Sequence, residues 1–236
     1  MHRLCALGAI AVALVGLLGC GPATLSRSAT PSATPSTPTP SPTATPGPDT
    51  QTVSVLATGV GSYALAAIPV AILRNDASAH AAEAVVVHFV TRRSGGGRLG
   101  ELDSVPVNIV AGEMLAVSAD CTDVCNNAVA TDATVTVGMW VTSHGAAPTG
   151  GPGSYKCGTC RSGHGYGEVS STVAASGLGS GAAVATFAVC KNVAGGIVGA
   201  GNTQLVWPGG DSLAVTIPVV VNDRPAACEV GASTGW

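Results

Sequence analysis

Charge is scarce in this 236-residue chain. Asp, Glu, Lys and Arg make up 10% of it, against about 25% in an average globular protein. The formal net charge is −3, so there is no electrostatic case for nucleic acid as a partner. Aromatic residues are only 3%, too few for stacking platforms or aromatic sugar-binding ledges. The apolar run Leu4–Leu18 falls short of the roughly 20 residues a membrane-spanning helix needs. No window carries a helical apolar stripe. Carboxylates are scattered singly, with no spacing that marks an acid/base pair, and no Gly-x-Ser-x-Gly elbow occurs. The chain therefore reads as non-enzymatic, and no cofactor is called for.

What is present begins with a tripartite N-terminus. Arg3 gives a weak positive region, Leu4–Leu18 is apolar, and Leu17-Leu18-Gly19 precedes Cys20. Those lengths and flanks read as a secretory signal over 1–19. The Leu-Leu-Gly-Cys stretch resembles the lipobox of bacterial lipoproteins, although Leu18 stands where a smaller residue is commoner. The resemblance implies a lipid on Cys20 and anchorage to the cell membrane on its extracytoplasmic face. Two acyl chains anchor stably where one binds marginally. The competing reading is an ordinary secretory signal with an incidental cysteine.

Residues 20–50 form the next segment. Ala23–Thr50 holds 20 Ser, Thr or Pro among 28 residues. Such a stretch cannot bury enough apolar surface to offset its ordering entropy, so it reads as a disordered tether. Its prolines favour polyproline II, giving a reach of roughly 90 Å when fully extended. Ser/Thr/Pro tracts are also common O-glycosylation substrates.

From Gln51 onward, Ala, Val, Gly and Thr dominate. Strand-like runs recur: Thr52–Ala57, Ala64–Leu73, Ala84–Thr91, Ser104–Val110, Met114–Ala119 and Ala133–Val141, then Val169–Ala175, Ala183–Lys191, Thr203–Val206, Leu213–Val221 and Ala226–Ala232. Gly, Pro and Asn clusters punctuate them. This spacing predicts an all-β fold of small β-sandwiches. An internal echo links Ala71–Asn75 to Ala188–Asn192, and Ala111–Val117 to Gly209–Val215. It divides the folded part into a sandwich module over 51–143, a Gly/Pro/Ser-rich joining segment over 144–166, and a second sandwich module over 167–236. The strand–Asn–strand–turn order around Asn75 and Asn192 resembles the Ig-like sandwiches of the FxLYD-like lipoprotein group. That group's naming motif is not cleanly present, and it brings no catalytic residue with it.

Six cysteines follow Cys20: Cys121, Cys125, Cys157, Cys160, Cys190 and Cys228. An even count in an exported chain reads as disulfides. Cys190 and Cys228 are the only two in the second module and are expected to pair. The other four can close two small loops, Cys121–Cys125 and Cys157–Cys160, or cross-pair. Cys157-Gly-Thr-Cys160 also admits thiol–disulfide exchange, or metal binding with His144 or His164. Arg161 after Cys160 rules out the haem-attachment pattern. Gly210-Asp211-Ser212-Leu213 spells a serine-hydrolase signature without its α/β context or a later histidine. His80 and His88 read as loop and solvent-face residues, and Gly177, Gly179 and Gly181 lack a dinucleotide-loop context.

The function expected is a non-enzymatic, membrane-anchored surface lipoprotein. It would act as a spacer or bind a protein or envelope glycan. The alternative is a metal-binding or thiol-exchanging lipoprotein using Cys157 and Cys160.

Overall fold

The computed structural model describes residues 49–122, 125–142 and 147–235. The signal segment, Cys20, nearly all of the tether and His144 lie outside them. The described residues belong to one compact unit and contain no helix. The strands are β1 (Val53–Tyr63), β2 (Ala66–Asn75), β3 (His80–Arg92), β4 (Arg98–Asp103), β5 (Val107–Ile109), β6 (Met114–Ser118), β7 (Cys121–Thr122), β8 (Ala130–Thr136) and β9 (Met139–Thr142). They continue as β10 (Pro152–Arg161), β11 (His164–Ala174), β12 (Ala183–Lys191), β13 (Ile197–Val206), β14 (Ser212–Val221) and β15 (Ala227–Thr234). The all-β class expected from composition holds.

The first nine strands make two antiparallel sheets, face to face. One runs β1-β2-β6, with β7 also on β2. The other is built on β3, with β4 and β5 along one side and β8 and β9 along the other. Between them lie Leu73, Val85, Val87, Phe89, Val107, Ile109, Leu115 and Val117. Alternation along β3 puts Val85, Val87 and Phe89 inward and His88 outward, as its period-two pattern predicts.

The last six strands close into a barrel in the order β10-β11-β14-β13-β12-β15. This refines one expectation and corrects another. The second module, read as a small β-sandwich, keeps the all-β class but closes into a six-stranded barrel. The stretch 144–166, read as a joining segment, contributes all of β10 and the start of β11 where it is described. Its glycines suggested a loop, but here they allow close strand contact. A Cβ on Gly153 would lie 2.3 Å from Val169 Cγ1. Glycine inside a strand often marks such close approach.

β12 has two buried faces. Val184, Ala188 and Cys190 fill the barrel, while Ala185 and Phe187 belong to the core of the first module. Phe187, although on a barrel strand, is thus fully buried in the first module's core. A second apolar layer, including Ile68 and Val70 of β2 with Val189, Ala200 and Val220, joins the sandwich to the barrel. The two parts share their core.

The internal echo is local. Asn75 Oδ1 accepts the Ala77 N–H at 3.0 Å, and Asn192 Oδ1 accepts the Ala194 N–H at 3.1 Å. Both are Asx turns at a strand end. After Asn75 the chain crosses to the opposite sheet; after Asn192 it returns as the β12–β13 hairpin. Similar sequence serves similar turns within different topologies.

Candidate functional site

The tether ends in a clasp. Asp49 Oδ1 accepts hydrogen bonds from the Ser78 N–H and hydroxyl, and Asp49 Oδ2 contacts His80 Nδ1. The His80 contact, with those from Ser78, holds the Asp49 carboxyl down at about 2. His80, expected in a loop, opens β3 and receives the incoming chain. From there β1 runs for 11 residues to Tyr63, roughly 33 Å at strand spacing.

At the Tyr63 end three loops converge: the β1–β2 turn, the segment after Cys125, and the β10–β11 tip. Each contains a non-glycine residue in the left-handed region, Ala64 at φ 52°, Asn127 at 64° and Ser162 at 53°. Such residues are uncommon and cluster at binding and active sites. All three line one hollow of about 480 Å³, together with Tyr63, Val129, Arg161 and His164. Among the described residues no carboxylate lines it. Tyr63 and Tyr166 meet edge to face with ring centroids 5.4 Å apart. Val129 and Tyr166 are exposed beside it. His164, a sequence candidate as a metal ligand, stands here, apart from the Cys157–Cys160 groove.

A second depression, a groove of about 540 Å³, lies on the other side of the β10–β11 tip. It exists because the barrel seam is short. β10 pairs with β15 only at Pro152–Glu229 and Gly153–Cys228. Beyond Gly153 the strands part. Tyr155, Cys157 and Cys160 form one wall, and Arg224 to Ala227 form the other.

The three disulfides follow the smallest-loop arrangement. Cys190 pairs with Cys228, as expected, directly opposite one another in β12 and β15 with Cα atoms 4.1 Å apart. Cys121 pairs with Cys125 and Cys157 with Cys160; the cross-pairing does not occur. The first two are buried. Cys157 is exposed and Cys160 half-buried.

The remaining sequence candidates carry no site. Ser212, in the hydrolase-like tetrapeptide, is an exposed residue at the start of β14. Gly177, Gly179 and Gly181 lie in the β11–β12 loop, with positive φ at Gly177 and Gly181. His88 stands on the outer face of β3, with Nδ1 2.8 Å from Asp103 Oδ1. Among the described residues no three His, Cys, Asp or Glu side chains group as metal ligands. The hollow was hidden in the sequence because its walls come from segments about 35–65 residues apart. Only Asn126-Asn127, a pair prone to left-handed turns, hinted at it. No family model, curated protein or solved structure matches the chain.

Proposed function

We propose that the chain is a membrane-anchored, non-enzymatic surface lipoprotein. In this reading the lipid on Cys20 holds it at the extracytoplasmic face, and the β-rich part is a binding module. The observation that supports it is the placement of the hollow. The chain enters at Asp49, and β1 carries it to the far end, where three left-handed turns surround the cavity. A tethered module that must meet a partner away from its anchor would put its binding face there. Arg161 and His164, beside the Tyr63–Tyr166 pair, suit an acidic segment of a protein or an acidic envelope glycan.

Fractionation of cells producing Cys20→Ala tests the anchor. The native protein sediments with membranes, and the variant is released to the soluble fraction. A variant that stays firmly membrane-bound overturns the reading.

A further inference from the structure

The groove at the barrel seam contains a disulfide that lies outside the packed cores. Cys121–Cys125 lies under Val60, Ala67 and Ala128, and Cys190–Cys228 lies inside the barrel. Each is part of a packed core. Cys157–Cys160 is not. It closes a loop with a separation of 3 residues along one strand, where entropic stabilisation is smallest. The pairing of Cys157 with Gly167 and Cys160 with Gly165 already fixes both ends. The register shift between Cys157 and Thr159 is a bulge in β10, a feature enriched beside active sites.

The surroundings are chemically specific. The Tyr155 hydroxyl donates to Cys160 Sγ at 3.2 Å. Burial pushes the Tyr155 phenol up, so it keeps its proton. Arg224 lines the same groove as the disulfide and makes no ion pair among the described residues. Past Gly153, the β10 edge facing β15 has no strand partner, which suits an extended peptide adding alongside.

We propose that Cys157–Cys160 is an exchange disulfide that reacts with a thiol on a negatively charged extended peptide seated in this groove. The site goes beyond the binding hollow and shares no lining residue with it. The substrate thiolate attacks the exposed Cys157 Sγ. A substrate–Cys157 bond forms and the Cys157–Cys160 bond breaks, its electron pair leaving on Cys160 Sγ. The Tyr155 hydroxyl hydrogen-bonds that new thiolate, which takes a proton from water. A second substrate thiol then attacks the mixed disulfide and releases Cys157 as a thiol. The substrate dithiol is oxidised to a disulfide and the Cys157–Cys160 pair is reduced by the same two electrons, a stoichiometric exchange without turnover that leaves the non-enzymatic reading in place.

The test uses purified protein, reduced glutathione as an anionic peptide thiol and cysteamine as a cationic one, with acid quenching and peptide mapping. The expected product carries glutathione on Cys157 and a free thiol at Cys160, with the other two disulfides intact. Tyr155→Phe should slow adduct formation roughly fivefold, the loss of one hydrogen bond of ordinary strength. Arg224→Ala should slow glutathione several-fold without slowing cysteamine. Adducts on Cys160, adducts spread over all six cysteines, or no reaction below the unfolding temperature would each overturn the proposal. So would equal rates for native protein and a folded Tyr155→Phe. If that variant does not fold, the adduct position in the native protein decides alone.

Discussion

Gly61 of β1 lies against the main chain of Val220 in β14: a Cβ added at Gly61 would stand 2.1 Å from the Val220 carbonyl oxygen. Beside it, the Asn222 side-chain amide donates to the Val60 carbonyl at 2.8 Å. The sandwich's first strand therefore rests directly on the barrel wall, and only glycine fits at that point. Gly61→Ala must push β1 away from a backbone atom that has nowhere to go. We expect a loss of about 3 kcal/mol, the upper range for overpacking, read from a denaturant midpoint. An unchanged midpoint would mean that the two halves are not in firm contact.

The shared core makes a second expectation. Phe187→Ala, although on a barrel strand, empties space in the sandwich core and should cost about 3–5 kcal/mol. Calorimetry should show one transition before and after the change. Two separated transitions, with only the barrel affected, would contradict the assignment of Phe187 to the sandwich.

Replacing both Cys190 and Cys228 by serine removes a bridge with a sequence separation of 38, worth about 4 kcal/mol on the chain-entropy model. Replacing Cys121 and Cys125, with a separation of 4, should cost about 2 kcal/mol on the same basis. Chemical denaturation of the two double variants tests the order. The reverse order would show that packing around Cys125 outweighs loop entropy.

Glu113, in the turn between β5 and β6, supplies a pH dependence. The Val110 N–H donates to its Oε2 at 2.9 Å, yet burial pushes the carboxyl from 4.5 up to about 7. The folded state thus binds a proton more tightly than the unfolded chain. Its contribution favours folding at low pH and is lost progressively as pH rises from about 4.5 through about 7. Glu113→Gln should flatten that part of the stability profile and stabilise the protein at pH above its folded value. A native profile already flat over this interval would count against burial of the ionised group.

At the hollow, Arg161→Ala with His164→Ala should weaken retention on an acidic peptide or acidic glycan column and leave the melting temperature unchanged. The side chains are exposed at a hairpin tip, where substitution rarely costs more than about 0.5 kcal/mol. Equal retention of native and variant protein would remove the hollow as an acidic-ligand site.

Much of the strand content was legible because Val/Ala alternation survives in β3 and β8. The Cys190–Cys228 bridge was legible because no other cysteines lay near. The barrel was harder to see. β10 is spelled Pro-Gly-Ser-Tyr-Lys-Cys-Gly-Thr-Cys-Arg, and turn-forming residues masked a strand whose glycines serve close packing. The fusion of the two parts was written in β2 and β12. Their runs Ala66–Leu73 and Ala183–Cys190 lack the polar alternation of a half-exposed strand, as strands covered on both sides do. The groove and the hollow depend on which segments meet, and no local pattern encodes that.

The double coverage of β12 also bears on how the chain reaches its fold. Val184-Ala185-Thr186-Phe187-Ala188-Val189-Cys190 has no charge and no proline, and all seven residues are buried. Segments of that length and composition stack readily into fibrils when left uncovered. In an ordinary sandwich strand one face would already be polar. Here neither is, so a chain with the barrel formed but the sandwich unformed would display Ala185, Phe187 and Val189 as an adhesive stripe. Lys191, closing the strand, is the first charge that interrupts it. Safe assembly therefore requires the sandwich and the barrel to form together, and a chain truncated before β12 would lack Phe187 in its core.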